Sequence, residues 1–215
     1  VVVVALFRLA APAILTNFVN YGQGITDQIF VGHLSKEYTQ EHSLATYISG
    51  MGLASTFVAV TYYFANGLIF CYDTTISQAF GAKNFKKIGL ELQTGLFIVS
   101  IVSIPVGILW FYMDSILITL LGIEDDVAAV IRIAGRILTI SLWPSLMYDL
   151  LARFANNQGV VQPALYVGIV VLLLNAFFNW LFIYAFKLGY AGSPLATCTS
   201  RWISPILLFG LLYRQ

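Results

Sequence analysis

Long apolar stretches separated by short polar connections run the length of the chain. Six of them, residues 7–33, 45–80, 88–112, 127–152, 163–186 and 193–213, reach the roughly 20 mostly apolar residues needed to cross a bilayer. The connections read HLSKEYTQEHS, GAKNFKK, GIEDD, NNQGVVQP and KLGYAG. Backbone groups in lipid find partners only inside the protein, so spans of this kind are helices. The pattern predicts an all-α membrane protein, with residues 1–215 forming a single six-transmembrane-helix bundle. The second stretch is long and is expected to end in an extension beyond the bilayer or in a break.

Polar residues inside these stretches carry the next inference. Asp27 sits in GITDQIFVGHL, six positions before His33 at the end of the first stretch. In the fifth stretch, LLLNAFFNWLFIY places Asn175 and Asn179 four apart, which puts them on one helix face. Asn179 lies seven positions before Phe186, and Thr197 lies four positions after Ser193 at the start of the sixth stretch. With a rise of about 1.5 Å per residue, all four reach a similar depth in the same half of the membrane. By themselves, the two asparagines and the threonine are explained as polar glue between helices. A carboxylate at the same depth changes that reading, because an acid in lipid normally faces a cavity and marks an ion path. The four are therefore candidates for a cation or proton site.

Other charges within the spans have plainer explanations. Asp73, followed by Gln78 in FCYDTTISQ, lies toward the end of the second stretch, and Asp149 lies near the end of the fourth. Both acids are expected to pair with a loop Lys or Arg, with Asp73 and Gln78 kept as a secondary candidate site. Arg136 and Arg201 lie deeper, and either snorkel or pair with a carboxylate. The residues TYYF at 61–64, with Trp110, Trp143, Trp180 and Trp202, suit either a cation–π pocket or the aromatic belts of a membrane interface. Pro12, Pro105, Pro144 and Pro205 fall inside spans and permit kinks.

Composition supports this picture and excludes others. Of the 215 residues, 59% are hydrophobic and 10% charged, against about 25% charged in soluble domains. A net charge of +1 offers no footprint for nucleic acid. Cys71 and Cys198 both fall in apolar stretches and read as small buried side chains. His33 and His42 have no metal-ligand spacing, and no nucleophile–base pair points to an enzyme. The opening VVVVALFRLAAPAILTNF lacks a basic leader and a cleavage pattern, so it reads as a span and not a signal peptide. The chain starts without Met, and a trimmed N-terminus is expected. Arg8, Lys83, Lys86, Lys87, Arg153 and Arg214 fall on one side of the membrane. Lys36 and Lys187 fall on the other, with Arg132 just inside a span end. The basic side is the cytoplasmic one, which places both termini there and GIEDD outside.

Taken in order, LAAPAIL, DQIFVGHL, DTTISQAFGAKNFKKIGLELQ, RFANNQGVVQP, LNAFFNWLFIY and LGYAGSPLATCTS resemble the multidrug and toxic compound extrusion (MATE) transporters, most closely the eukaryotic branch. SQAFGAKN and the RF…Q…P stretch are the most specific pieces, and the resemblance runs over nearly all of the chain. It implies a fold of twelve helices in two six-helix lobes around a central cavity. It also implies export of organic cations and other amphiphilic drugs in exchange for protons or sodium ions, with no cofactor beyond that ion. The chain resembles the N-terminal lobe alone, so a fragment or truncated product is expected, with a second six-helix lobe as its partner. Asp27 matches the first-helix carboxylate used for cation coupling in prokaryotic members, and Asn175, Asn179 and Thr197 match the positions around it. Many prokaryotic relatives have Asp where this chain has Asn179, which implies a weaker sodium site and leaves Asp27 as the only titrating group. Eukaryotic members resemble each other in an acidic residue on the seventh helix that is linked to proton coupling, a helix that residues 1–215 do not include. Two alternatives stay open: a lipid-linked oligosaccharide flippase of related architecture, and a non-transporting half-lobe acting as a membrane interaction partner. Residence in the plasma membrane or an organelle membrane fits equally.

Overall fold

A computed structural model describes residues 2–34 and 43–213, with only the backbone for residues 2–9 and 13. Lys36, His42 and Arg214 therefore lie outside the described residues, as does the side chain of Arg8. The described chain is helical: α1 (Val2–Gly32), α2 (Leu44–Ile69), α3 (Cys71–Gly81), α4 (Phe85–Phe111), α5 (Met113–Leu121), α6 (Asp125–Asn156), α7 (Gln162–Trp180) and α8 (Gly192–Leu212). A wide turn, Leu181–Ala185, extends α7, and a tight turn, Gly189–Ala191, leads into α8.

Local sequence explains several boundaries. Ser43 caps α2 by accepting from the Thr46 N–H at 3.2 Å, and Asn84 caps α4 by accepting from the Lys87 N–H at 3.1 Å. Such caps satisfy donors that the first helical turn leaves open. Pro163 stands in the first turn of α7, where its missing N–H costs nothing. Gly122 ends α5 with φ of 61°, a left-handed conformation that favours glycine.

Two features refine the span pattern. The long second stretch divides at Phe70 into α2 and α3. Residues 113–121, between the third apolar stretch and GIEDD, form α5. Its nine residues are too short to cross a membrane, so a search for spans passes over it. It packs on α6 through Met113 and Leu117, and its buried Asp114 accepts from Arg132 Nε of α6 at 2.6 Å. By length and composition, five segments among the described residues can cross a bilayer: Leu44–Gly81, Phe85–Phe111, Asp125–Asn156, Gln162–Ala185 and Gly189–Leu212. α1 is 31 residues long but is not among those five.

α6 is the hub of the bundle, packing against α2, α4, α5 and α8. Its contact with the α4–α5 corner is close enough that a Cβ on Gly135 would lie 2.5 Å from the Trp110 carbonyl oxygen. Small residues let membrane helices approach in this way. One apolar cluster joins α2, α3, α4 and α6 through Ile69, Ile76, Val99, Trp110, Leu142 and Leu150. A second, at the other end, joins Val31, Tyr47, Met51, Ile131 and Ile183. A third ties α6 to α7 and α8 through Tyr148, Leu151, Val167 and Leu208. Large apolar side chains such as Phe18, Phe64, Phe97, Leu173 and Ile206 point outward. This is the arrangement expected when lipid, not water, is the solvent. The four intra-helical prolines lie in α1, α4, α6 and α8. Nearby hydroxyls bond to backbone carbonyls, as Thr16 does to Pro12 at 2.8 Å and Ser145 to Ser141 at 2.7 Å.

Candidate cation site

α1, α7 and α8 meet around Asp27. Asn175 and Asn179, one turn apart on α7, are both fully buried. Both turn their amide N–H groups to Asp27 Oδ1, at 3.2 Å and 2.7 Å. Thr197 of α8 donates its hydroxyl to Asp27 Oδ2 at 2.5 Å. Asn179 Nδ2 also reaches the Asn175 carbonyl at 3.0 Å. The four residues singled out from the sequence are thus brought into one hydrogen-bonded cluster. A carboxylate has only acceptors, so these contacts fix the amide orientations. That leaves Asn179 Oδ1 buried with no partner.

Asp27 also faces a cavity of about 480 Å³ lined by α1, α2, α6 and α8, with Trp110 of α4. On α1 its wall is a polar stripe: Asn17, Asn20, Gln23, Asp27 and Gln28. From Asn17 to Asp27 the steps are three, three and four residues, a spacing legible in the sequence that marks the inward face of α1. On the far wall, Asp149 of α6 accepts from the Tyr62 hydroxyl at 2.6 Å and from Asn66 Nδ2, both on α2. Asp149 is therefore held by a phenol and an amide instead of the loop cation expected for it. Arg201 of α8 lines the same cavity. It forms no ion pair among the described residues.

The secondary candidates separate. Asp73 pairs with Arg153 Nη1 at 2.6 Å and accepts from Asn157 Nδ2 at 2.9 Å. The Arg153 guanidinium also stands 4.1 Å from the Phe70 ring centroid. This ion pair ties α3 to α6 beside the cavity, which Arg153 lines. Gln78 is exposed and does not line it. Arg136 lies 5.1 Å from the centroid of Phe111. Of the aromatics singled out from the sequence, Tyr62, Tyr63 and Trp110 line the cavity, and Trp110 Nε1 donates to Thr61 Oγ1 at 2.7 Å. Trp143 instead packs on Trp202, and Trp180 is exposed. Among the described residues, no group of three or more acidic, His or Cys side chains is placed to hold a metal ion.

The MatE family model matches residues 12–181. Multidrug and toxin extrusion protein 1 of Xenopus tropicalis is 36% identical over 204 residues, which is 95% of this chain and 34% of that protein. Protein DETOXIFICATION 17 of Arabidopsis thaliana is 30% identical over 201 residues, 93% of this chain and 40% of that protein. The chain thus spans about a third of the length of the curated relatives it matches. Among solved structures, the eukaryotic MATE transporter AtDTX14 aligns with a TM-score of 0.87 at 27% identity, covering 98% of this chain and 45% of its own. A MATE transporter in the bent conformation aligns with a TM-score of 0.81 at 18% identity, covering 97% and 45%. That second likeness speaks to the fold alone. With most of its length matched by the family model and its bundle shared with solved transporters of that kind, the chain belongs to the MatE family.

Proposed function

We propose that this chain is one lobe of a secondary active antiporter that exports organic cations and other xenobiotics in exchange for protons. Asp27 is the coupling group, and Asn175, Asn179 and Thr197 shape its hydrogen bonds. One observation carries the choice of a proton over sodium: the groups around Asp27 turn their N–H and O–H hydrogens toward it. A sodium ion needs oxygens, so both amides would have to turn round. A proton needs only one donor to let go. Taking up a proton converts one carboxyl oxygen from acceptor to donor. A tie from α1 to α7 or α8 is then lost, and α1 is free to bend and reshape the cavity.

The relatives bear names of multidrug and toxin extrusion, which supports xenobiotics as the substrate class. A second six-helix lobe completes the transport path. Lys83, Lys86 and Lys87 follow α3 and precede or open α4, so that end is cytoplasmic. A flippase for acidic lipid-linked sugars would want a basic cavity. This one carries Asp27 and Asp149, and its Arg153 is committed to Asp73.

The test is Asp27→Asn in the complete reading frame, reconstituted in vesicles with a fluorescent organic cation. An imposed proton gradient should drive transport in the parent and not in the variant, and a sodium gradient alone should drive neither. Gradient-dependent transport at the parental rate in the variant would refute the coupling role.

A further inference from the structure

We infer that the turn joining α3 to α4 is a binding surface for the headgroups of acidic phospholipids, held through Lys83, Lys86 and Lys87. Such a surface serves the chain whatever it transports and does not depend on Asp27.

One candidate span ends at Gly81 and the next begins at Phe85, so the turn between them stands at the depth of the lipid headgroups. Its backbone is fixed. The N–H groups of Ala82, Lys83 and Asn84 donate to the carbonyls of Gln78, Phe80 and Ala79 at 2.9–3.0 Å. Ala79 and Ile88, on either side, are buried in the apolar cluster that α3 and α4 share with α6. Residues 80 to 87 are all exposed. Phe80 and Phe85, 40% and 67% exposed, flank Lys83, and an exposed ring beside a lysine suits the boundary between headgroups and acyl chains.

Three ammonium groups thus lie within five residues. None has an ion-pair or hydrogen-bond partner among the described residues. The neighbouring acids do not answer them. Asp73 of α3 is held by Arg153 and Asn157, and Glu91, one turn beyond Lys87 on α4, pairs with none of the three.

All three lysines also stand where the local fold disfavours them. Lys83 has a φ of 55°, in the left-handed region that favours glycine. Lys86 and Lys87 occupy the first turn of α4, which holds no acid, although the positive end of a helix dipole favours anions there. A topological signal needs only positive charge somewhere in the loop and accounts for neither placement. A lipid phosphate or carboxylate accounts for both, because it offers oxygens to the ammonium groups and relieves their mutual repulsion. The end read as cytoplasmic faces the leaflet that carries acidic lipids, and each lysine near that surface strengthens binding by about fivefold. A soluble anion would use the lysines but leave Phe80 and Phe85 without acyl chains to rest on.

The test uses the complete reading frame, purified in neutral detergent and mixed with equal amounts of dioleoylphosphatidylserine and dioleoylphosphatidylcholine. Native mass spectrometry counts the lipids bound. The serine lipid should be preferred by about tenfold or more. Lys86→Gln should lower that preference about fivefold, and glutamine at all three positions should bring it to within about twofold of parity. Arginine at all three should retain it, since the charge is kept. Inorganic phosphate should displace the serine lipid no more than potassium chloride does at the same ionic strength. The inference is overturned if the parent shows no preference, or if the triple glutamine variant keeps the parental one. Selective displacement by phosphate overturns it too, because the occupant would then be a soluble anion. Lys86→Gln alters one exposed side chain, so an undiminished preference in that variant overturns the inference even where the triple variant fails to fold.

Discussion

The hydrogen bond from Thr197 to Asp27 can be weighed by a single substitution repeated in two backgrounds. Thr197→Val keeps the shape of the side chain and removes the hydroxyl. That hydroxyl is 2.5 Å from Asp27 Oδ2 and is the one donor to that oxygen among the described residues, since both asparagines bond to Oδ1. A hydrogen bond to a charged group contributes about 1.5–3 kcal/mol. Asp27 faces a cavity, where water replaces part of what is lost, so about 2 kcal/mol is the working figure. For a chain of this size, that corresponds to a fall in Tm of about 4–8 °C. In an Asp27→Asn background the same substitution breaks a neutral bond. The loss should then halve to about 1 kcal/mol, or about 2–4 °C. The difference, about 1 kcal/mol, is the coupling between the two side chains. Thermal unfolding in detergent at pH 8, followed by tryptophan fluorescence, provides all four values of the cycle. Equal losses in the two backgrounds would refute the reasoning, because they would mean that the hydroxyl does not act on the carboxylate.

Gly135→Ala should cost about 1–3 kcal/mol in the same unfolding assay, since the new Cβ would press on the Trp110 backbone oxygen, which has little room to yield. Gly107→Ala is the matched control: its Cβ would meet Thr139 at an ordinary 3.5 Å, and a loss as large as that of Gly135→Ala would contradict the packing argument. With Cys71 and Cys198 replaced by Ser, single cysteines at Lys86 and Glu124 should label from opposite faces of the membrane with an impermeant maleimide. Labelling of both from one face would contradict the path of α4 across the bilayer.

The Asp27 cluster was legible because helices translate sequence position into depth. Counting residues from the span ends is enough to place Asp27, Asn175, Asn179 and Thr197 at one level, and the four-residue step from Asn175 to Asn179 sets their shared face. The polar stripe from Asn17 to Gln28 was equally open to such counting. The contacts of Asp149 were not. Tyr62 and Asn66 lie 87 and 83 residues from it in sequence, and only the packing of α2 on α6 makes them neighbours. Asp149 and Asp73 also look alike in the sequence, as acids near span ends. In the structure, Arg153 reaches Asp73 at 2.6 Å, while a phenol and an amide hold Asp149.

What the sequence alone determined is the helical, membrane-embedded character of the chain, and which residues sit at which depth. Both follow from local physics: lipid forbids unpaired backbone, and the helical rise is constant. The tertiary structure decided which acids find a guanidinium, which face a cavity, and which oxygens are left without a partner. Those outcomes depend on how helices rotate and approach one another, and on contacts such as that of Gly135 with the Trp110 carbonyl. No count along the chain contains that information, because each helix can present any of its faces until its neighbours are in place.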